Sequence, residues 1–356
     1  MLAIVPDAFG GRGGISQYNR DFFETLAEMD LMSIVILPRG VADSYCTPKN
    51  VRQLTQRSNK VLYSVTALGT ALLNRVDIVF CGHLFMAPLA AFLARLKGAK
   101  LIVQTHGIEA WPKATRQQRI AVESADLVLS VSRHTRSSLL SWATLPPERV
   151  VVLPNTAREE FSPGDGSKIR AAWGLLGKVV LLTVARMDSW QPYKGQDRVI
   201  ATIPRLLKMG HDVHYLVVGD GDDRSRMEAL ARDQEVSDRV HFLGPVSTQE
   251  LRDIYRAADL YVMPSTSEGF GIVFLEAMVS GTPAVGLDIA GTKDVLASGE
   301  LGLCVQENDL VGAIHRALSR PKPHPNALAA AARVRFGREL FAVGVRSALN
   351  LLRETA

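Results

Sequence analysis

Short apolar runs alternate along the whole chain with stretches whose apolar residues recur every three or four positions. The runs at 2–5, 32–37, 78–81, 101–105, 127–131 and 150–153 predict strands in the first half, and 179–185, 214–218, 240–243, 260–264 and 284–287 predict them in the second. Helical spacing covers 16–29, 86–96, 196–209, 223–234 and 248–257. Strands that are apolar throughout, rather than alternating, are buried on both faces, which calls for parallel sheets with helices on each side. Two such series predict an α/β chain of two doubly wound domains. The Pro/Gly cluster Phe161-Ser162-Pro163-Gly164-Asp165-Gly166 marks the joint, so the expected domains are 1–163 and 164–325. An Ala/Arg/Leu-rich helical tail, 326–356, follows the prolines at 321–325. Ligands of open α/β sheets bind beyond the carboxyl ends of the strands, which makes a cleft between the two sheets the expected site.

With 356 residues, 47% hydrophobic and 22% charged, the composition is globular and excludes a disordered or fibrous chain. No apolar run reaches the ~18 residues that span a bilayer. The run at 86–96 is broken by Arg95 and followed by Lys97. The opening Met1-Leu2-Ala3-Ile4-Val5-Pro6 lacks a charged leader and reads as a first strand, not a signal peptide. Cys46, Cys81 and Cys304 are too few and too scattered for a disulfide framework or a zinc site, which points to the cytoplasm. The net charge of +5 is uneven. Within 49–119, Lys49, Arg52, Arg57, Lys60, Arg75, Arg95, Lys97, Lys100, Lys113, Arg116 and Arg119 face only Asp77 and Glu109. Such a surface is either simply solvated or made for something anionic, such as membrane headgroups or a lipid diphosphate. Nucleic acid is not expected, because no aromatic-rich basic motif accompanies the charges.

The densest chemical signal runs from Ser265 to Met278, a Gly-rich loop entering a helix that stops at Ser280-Gly281-Thr282-Pro283. Gly269 and Gly271 let backbone N–H groups approach a ligand, and the helix start adds a dipole end suited to phosphate. Glu268 in the loop and Glu276 in the helix offer carboxylates at two heights, and carboxylates accept hydrogen bonds from sugar hydroxyls. Glu276 also sits among Phe274, Leu275 and Met278, a poor place for an idle charge. Arg186 at a strand end and Lys194 before the next helix are placed to hold a diphosphate, one as a fork and one as a point charge.

The loop Gly10-Gly11-Arg12-Gly13-Gly14-Ile15 is phosphate-friendly. It is no dinucleotide fingerprint, since Ser16 replaces the last glycine, and it lacks the P-loop ending; a tight turn into a helix is the competing explanation. His106 ends a strand and is as readily structural as ligand-binding, while His83 reads as structural. Gly219-Asp220-Gly221-Asp222-Asp223 reads as a strand-to-helix turn with N-capping aspartates. Neither a metal nor a cofactor is expected.

Together these pieces resemble the retaining glycosyltransferases of family 4, whose GT-B fold sets two Rossmann-like domains face to face across a cleft. The likeness is strongest over 182–305, through Arg186 and Lys194, Val217-Val218-Gly219-Asp220-Gly221, His241-Phe242-Leu243-Gly244-Pro245-Val246 and the Glu268-x7-Glu276 spacing. In the first half, Gly13-Gly14, His106-Gly107 and Leu153-Pro154-Asn155-Thr156 are similar to the family's glycine loop, active-site histidine and hinge asparagine. One departure is visible: the family's Asn-Gly-Val-Asp reads Asn155-Thr156-Ala157-Arg158.

The resemblance implies that Glu276 binds the donor ribose and that Arg186 with Lys194 binds its diphosphate. It implies that Glu268, with the backbone of Gly269, Phe270 and Gly271, holds the transferred sugar, whose hydroxymethyl end His106 contacts. The backbone around Val246 would meet the nucleobase, Gly13 and Gly14 would lie near the phosphates, and the final helix would cross back to the first domain. Residues 10–20 and Gly299-Glu300-Leu301-Gly302 are further similar to bacterial exopolysaccharide α-mannosyltransferases, which act on polyprenyl-diphosphate-linked sugars.

The expectation is metal-independent, retaining hexosyl transfer in polysaccharide biosynthesis, without a cofactor. The nucleotide-sugar donor is GDP-mannose first and a UDP-hexose second. The acceptor is a glycan or a polyprenyl-diphosphate-linked sugar, reached in the cytoplasm or peripherally at the inner face of the membrane. A GT-B sugar-nucleotide epimerase would want acid and base groups around the hexose. A non-catalytic nucleotide-sugar-binding subunit would be expected to have lost one of Arg186, Lys194, Glu268 or Glu276.

Overall fold

A computed structural model describes residues 1–40, 45–190 and 192–354. The chain divides into two compact units, Met1–Thr156 with Glu339–Ala356, and Ala157–Arg338. Unit 1 holds β1 (Leu2–Val5), β2 (Ile34–Pro38), β3 (Val51–Gln53), β4 (Ile78–Cys81), β5 (Lys100–Thr105), β6 (Leu127–Ser130) and β7 (Val150–Val152). They pair in the order β3-β2-β1-β4-β5-β6-β7, parallel throughout. Unit 2 holds β8 (Val179–Val184), β9 (Val213–Val218), β10 (Val240–Gly244), β11 (Leu260–Met263), β12 (Ala284–Leu287) and β13 (Leu303–Val305). Their order is β10-β9-β8-β11-β12-β13, again parallel. Each unit is a Rossmann-like doubly wound sheet, as the unbroken apolar strands predict. Strands such as Leu-Ala-Ile-Val at β1 are buried at every position because helices cover both faces.

In such sheets the strand order reverses at one point, leaving a crevice at the carboxyl ends of the two strands that flank it. Here the reversals fall between β1 and β4 and between β8 and β11. The Gly13 loop follows β1, the Arg186 loop follows β8 and the Glu268 loop follows β11. The most suggestive sequence motifs thus flank the two switch points.

The units part at Thr156/Ala157, not at the expected 163/164 boundary. The cause is hydrogen bonding across sequence: the Ala157 N–H donates to the Phe336 carbonyl (2.6 Å), and Arg333 donates to the carbonyl of Phe161 (2.5 Å). Both bonds tie the start of the segment to the helix Pro325–Phe336. The tail, expected as one stretch, is two helices, Pro325–Phe336 in unit 2 and Arg338–Glu354, separated by Gly337. Among the described residues, no helix is long and apolar enough to cross a membrane.

Candidate functional site

In unit 2 the chain leaves β8 at Ala185 and turns through Arg186. The Arg186 side chain is two-thirds exposed, lies over the Trp190 ring at 6.0 Å and pairs with Asp188 at 3.2 Å. A short 3-10 turn, Pro192–Lys194, then presents Lys194 just before the helix Gln196–Lys208. The joining residue Gly195 has φ +82°, and a Cβ there would stand 2.6 Å from the Pro264 carbonyl at the end of β11, so only glycine fits. Gln196 Nε2 donates to the Arg186 carbonyl (3.1 Å), and the Thr266 N–H donates to the Tyr193 carbonyl (2.9 Å). The first bond closes the β8 loop on itself and the second ties it to the β11 loop.

Lys194 Nζ donates to Glu268 Oε2 at 2.8 Å, with both side chains largely buried. Burial alone would lower the Lys194 pKa, but the charge and hydrogen bond of Glu268 outweigh it and hold the ammonium above its ordinary range. Lys194 is therefore a fixed cation at any physiological pH. The Arg186 charge acts on it in the opposite sense, which puts both cations in one field. The Glu268 loop is anchored from beneath, where the Gly291 N–H donates to the Glu268 carbonyl (2.9 Å). Gly271, at φ +90°, opens the helix Ile272–Val279 without a side-chain cap. Phe270 buries its ring edge-on against Phe336, leaving its backbone and those of Gly269 and Gly271 as the loop's contribution.

Glu276 lies in that helix, buried. Its Oε2 accepts from the Tyr255 hydroxyl (3.0 Å), and Arg158 Nη1 stands 4.0 Å from Oε1. Burial pushes its carboxyl up to about 7, against the pull of Arg158 and Tyr255. Val246 is half-buried beyond β10, one residue before Ser247, which opens the helix Thr248–Ala257 with a reciprocal Ser247–Glu250 capping box. Unit 2 thus gathers Arg186, Lys194, Glu268 and the Gly269–Gly271 backbone at the ends of β8 and β11, with Glu276 in the helix that follows.

His106, Gly13 and Gly14 belong to unit 1. His106 follows β5, its Nε2 3.0 Å from the Gly82 carbonyl and its ring edge-on to Tyr18 at 5.3 Å. Burial lowers its pKa to about 4, against the attraction of Glu109, so the imidazole is neutral. His83 caps a 3-10 turn, accepting from the Phe85 N–H at Nδ1 (3.3 Å), the structural role expected of it. Gly13, at φ +90°, starts the helix Gly14–Glu28, and the space where its Cβ would stand is open.

The aspartates after β9 depart from expectation. Asp223 occupies the N-cap position, but its carboxylate pairs with Arg226 (2.7 Å) instead of capping, and Asp222 accepts from the Ser189 N–H and hydroxyl. Among the described residues, no group of three or more His, Cys, Asp or Glu is arranged for a metal ion. Tyr255 and Arg158, the partners of Glu276, carried no sequence signal of their own beyond Arg158's departure from the family motif.

Comparison with known proteins agrees with this architecture. Residues 166–335 match the family described as Glycosyl transferases group 1, and residues 12–160 match Glycosyltransferase Family 4. The GDP-mannose-dependent alpha-(1-6)-phosphatidylinositol monomannoside mannosyltransferase of Mycolicibacterium smegmatis is 30% identical over 87% of this chain and 86% of its own. The D-inositol 3-phosphate glycosyltransferase of Rhodococcus erythropolis is 31% identical over 66% of this chain, a match spanning only about half (55%) of that protein. The Anabaena HepE protein, solved in complex with UDP, superposes with a TM-score of 0.79 at 20% identity, covering 98% of this chain and 99% of that one. Two Rossmann-like domains of this kind define the GT-B class of glycosyltransferases. The chain belongs to glycosyltransferase family 4.

Proposed function

We propose that the protein is a retaining, metal-independent hexosyltransferase whose unit 2 holds a nucleoside-diphosphate sugar at the ends of β8 and β11. The observation that carries this reading is the Lys194–Glu268 pair beside Arg186. When a nucleoside diphosphate leaves an anomeric carbon, negative charge grows on its oxygens while the sugar becomes oxocarbenium-like. Preorganised cations stabilise that state selectively. Lys194 has three donors and gives one to Glu268, so two remain for the departing phosphate. Glu268 is thereby oriented toward sugar hydroxyls as a positioning group. Glu276 holds the ribose, the Gly269–Gly271 amides and Gly13–Gly14 lie along the sugar and phosphates, and the backbone at Val246 meets the base. His106, neutral, hydrogen-bonds the hexose instead of competing as a charge. Same-face attack lets the leaving phosphate take the acceptor's proton, so retention needs no protein base.

Two donors compete. GDP-mannose is favoured by the mannosyltransferase relative, which matches over most of both chains. A UDP-hexose is the second reading, supported by the structurally similar HepE with UDP. The acceptor in either case is a glycan or a polyprenyl-diphosphate-linked sugar of polysaccharide biosynthesis. Calorimetric titration with GDP, UDP, ADP and their sugar conjugates decides. A GDP preference supports mannose, a UDP preference replaces it, and silence toward every nucleotide overturns the reading.

The same proposal brings unit 1 to an anionic membrane surface as a peripheral protein. Its support is the helix Lys60–Leu73, where Val61 is 73% and Leu73 87% exposed, with Leu62, Val65 and Leu72 also exposed. Phe92 and Leu96 are exposed on the neighbouring helix Ala87–Lys97, and Lys60 and Arg95 supply exposed cations. Apolar side chains with a cationic border suit the headgroup boundary. Flotation with anionic liposomes tests it, and no binding at low salt removes it.

A further inference from the structure

The departure of Arg158 from its family's motif leads to the buried carboxylate of unit 2. Arg158 projects from the segment that enters unit 2 and lies between two carboxylates, with its guanidinium over the Phe161 ring at 5.4 Å. One side pairs closely with Glu160, and the other stands 4.0 Å from Glu276 Oε1. The Tyr255 hydroxyl, from the helix Thr248–Ala257, occupies Oε2. The other groups near this network are Tyr261 from β11, whose hydroxyl feels the Glu276 charge, and Arg333, which is turned to the Phe161 carbonyl.

We propose that Arg158 is a positioning residue for the donor, holding Glu276 ionised and aimed so that it can accept the ribose hydroxyls, and that Arg158 thereby sets the pH range in which the nucleotide binds. This rests on the donor-site reading above. The physical argument is a balance of burial against charge. A buried carboxyl whose neighbour at Oε2 is the neutral Tyr255 hydroxyl loses its hydration and favours the protonated form. Arg158 is the cation that opposes this, while Glu160 both anchors Arg158 and adds repulsion of its own. A protonated Glu276 donates one proton where the ribose also offers donors, so it accepts less well. Donor affinity should therefore fall as pH drops through neutrality. Removing Arg158 should move that fall to higher pH, because Glu160 is then left uncompensated beside Glu276.

The test is calorimetric titration of the full chain with GDP and UDP from pH 6 to 9, for wild type, Arg158→Ala, Arg158→Lys and Glu276→Gln. Wild type should weaken below neutral pH. Arg158→Ala should shift the midpoint upward by about one pH unit, a roughly fivefold weaker Kd at pH 7 that approaches tenfold at pH 6 and converges with wild type near pH 9. Arg158→Lys should restore most of the profile. Arg158→Gln, which keeps the stem packed on Phe161, replaces the alanine variant if that does not fold. A wild-type midpoint in Arg158→Ala or Arg158→Gln overturns the inference. If Glu276→Gln nonetheless weakens binding and flattens the profile, the donor-site reading stands without it. If Glu276→Gln binds like wild type, the donor-site reading itself fails.

Discussion

Two helices, one in each unit, start alike and are held by different causes. Gly14–Glu28 follows Gly13 and Ile272–Val279 follows Gly271, both glycines at φ +90°, both helices without a side-chain cap and without an acid in the first turn. Their first amides are left for another partner. At Gly13 nothing lies within 4 Å of where a Cβ would stand, so the backbone conformation alone demands glycine. At Gly271 a Cβ would stand 2.7 Å from the Phe274 ring and 3.1 Å from Glu268 Cγ, so packing demands it as well. Electrostatics follow the same division. Unit 2 faces its switch point with charges that are paired and fixed, Lys194 with Glu268 and Arg186 with Asp188. Unit 1 offers glycine and the neutral His106 near its own.

The largest test of that contrast is Lys194→Ala. Loss of a single donor to the developing charge should lower kcat about 100- to 1,000-fold, ~3–4 kcal/mol, with a smaller change in the donor KM. Steady-state kinetics would break the contrast if kcat held and only KM moved. Next comes Gly271→Ala, which combines a disfavoured dihedral with overlap on Phe274 and should destabilise unit 2 by about 2–3 kcal/mol in urea unfolding.

Titration separates the units by sign. His106 is lowered to about 4 by burial, against an ordinary 6.5, so between those values the unfolded chain binds the extra proton. Its contribution to stability is therefore lost as pH falls from 6.5 toward 4. Glu276 is raised to about 7 from 4.5, so the folded chain holds the extra proton in that window and stability falls as pH rises through it. His106→Gln should relieve the acid-side loss and Glu276→Gln the loss toward neutral pH, each by on the order of 1–2 kcal/mol. Chemical denaturation at pH 5 and 8 compares them, and equal effects at both pH values would refute the assignment. The smallest effect is Gly13→Ala, about 1 kcal/mol from the dihedral alone, in the same urea experiment. If it matched Gly271→Ala, the packing difference between the two helix starts would have no energetic weight.

Much of this was legible in the chain because buried parallel strands announce themselves as unbroken apolar runs. The two strands that escaped, β3 and β13, are three-residue edge strands, and Val-Arg-Gln at β3 is largely polar. The helix Lys60–Leu73 escaped for the opposite reason. Its valines and most of its leucines stand on the exposed side while Tyr63, Ala67 and Ala71 are the buried ones, so apolar residues fall all round and no period of 3.6 emerges. In the candidate site, Arg186, Lys194, Glu268 and Glu276 stood out as charges next to strand ends or inside an apolar helix. Tyr255 did not, since an aromatic in an amphipathic helix reads as core until its hydroxyl is seen on Glu276.

The chain leaves unit 1 at Thr156 and returns at Glu339, which has a consequence for how the molecule is made. The returning helix Arg338–Glu354 buries Phe341, Val345, Ala348, Leu349 and Leu352, with Phe341 edge-on to Tyr18 and Gly344 against Leu153. Synthesis runs from the N-terminus, so unit 1 must wait, its Tyr18 and Leu153 surface uncovered, until all of unit 2 has emerged. Unit 2 is contiguous and can complete first. A premature stop inside the last helix would therefore spare the later-synthesised unit and damage the one whose synthesis began first.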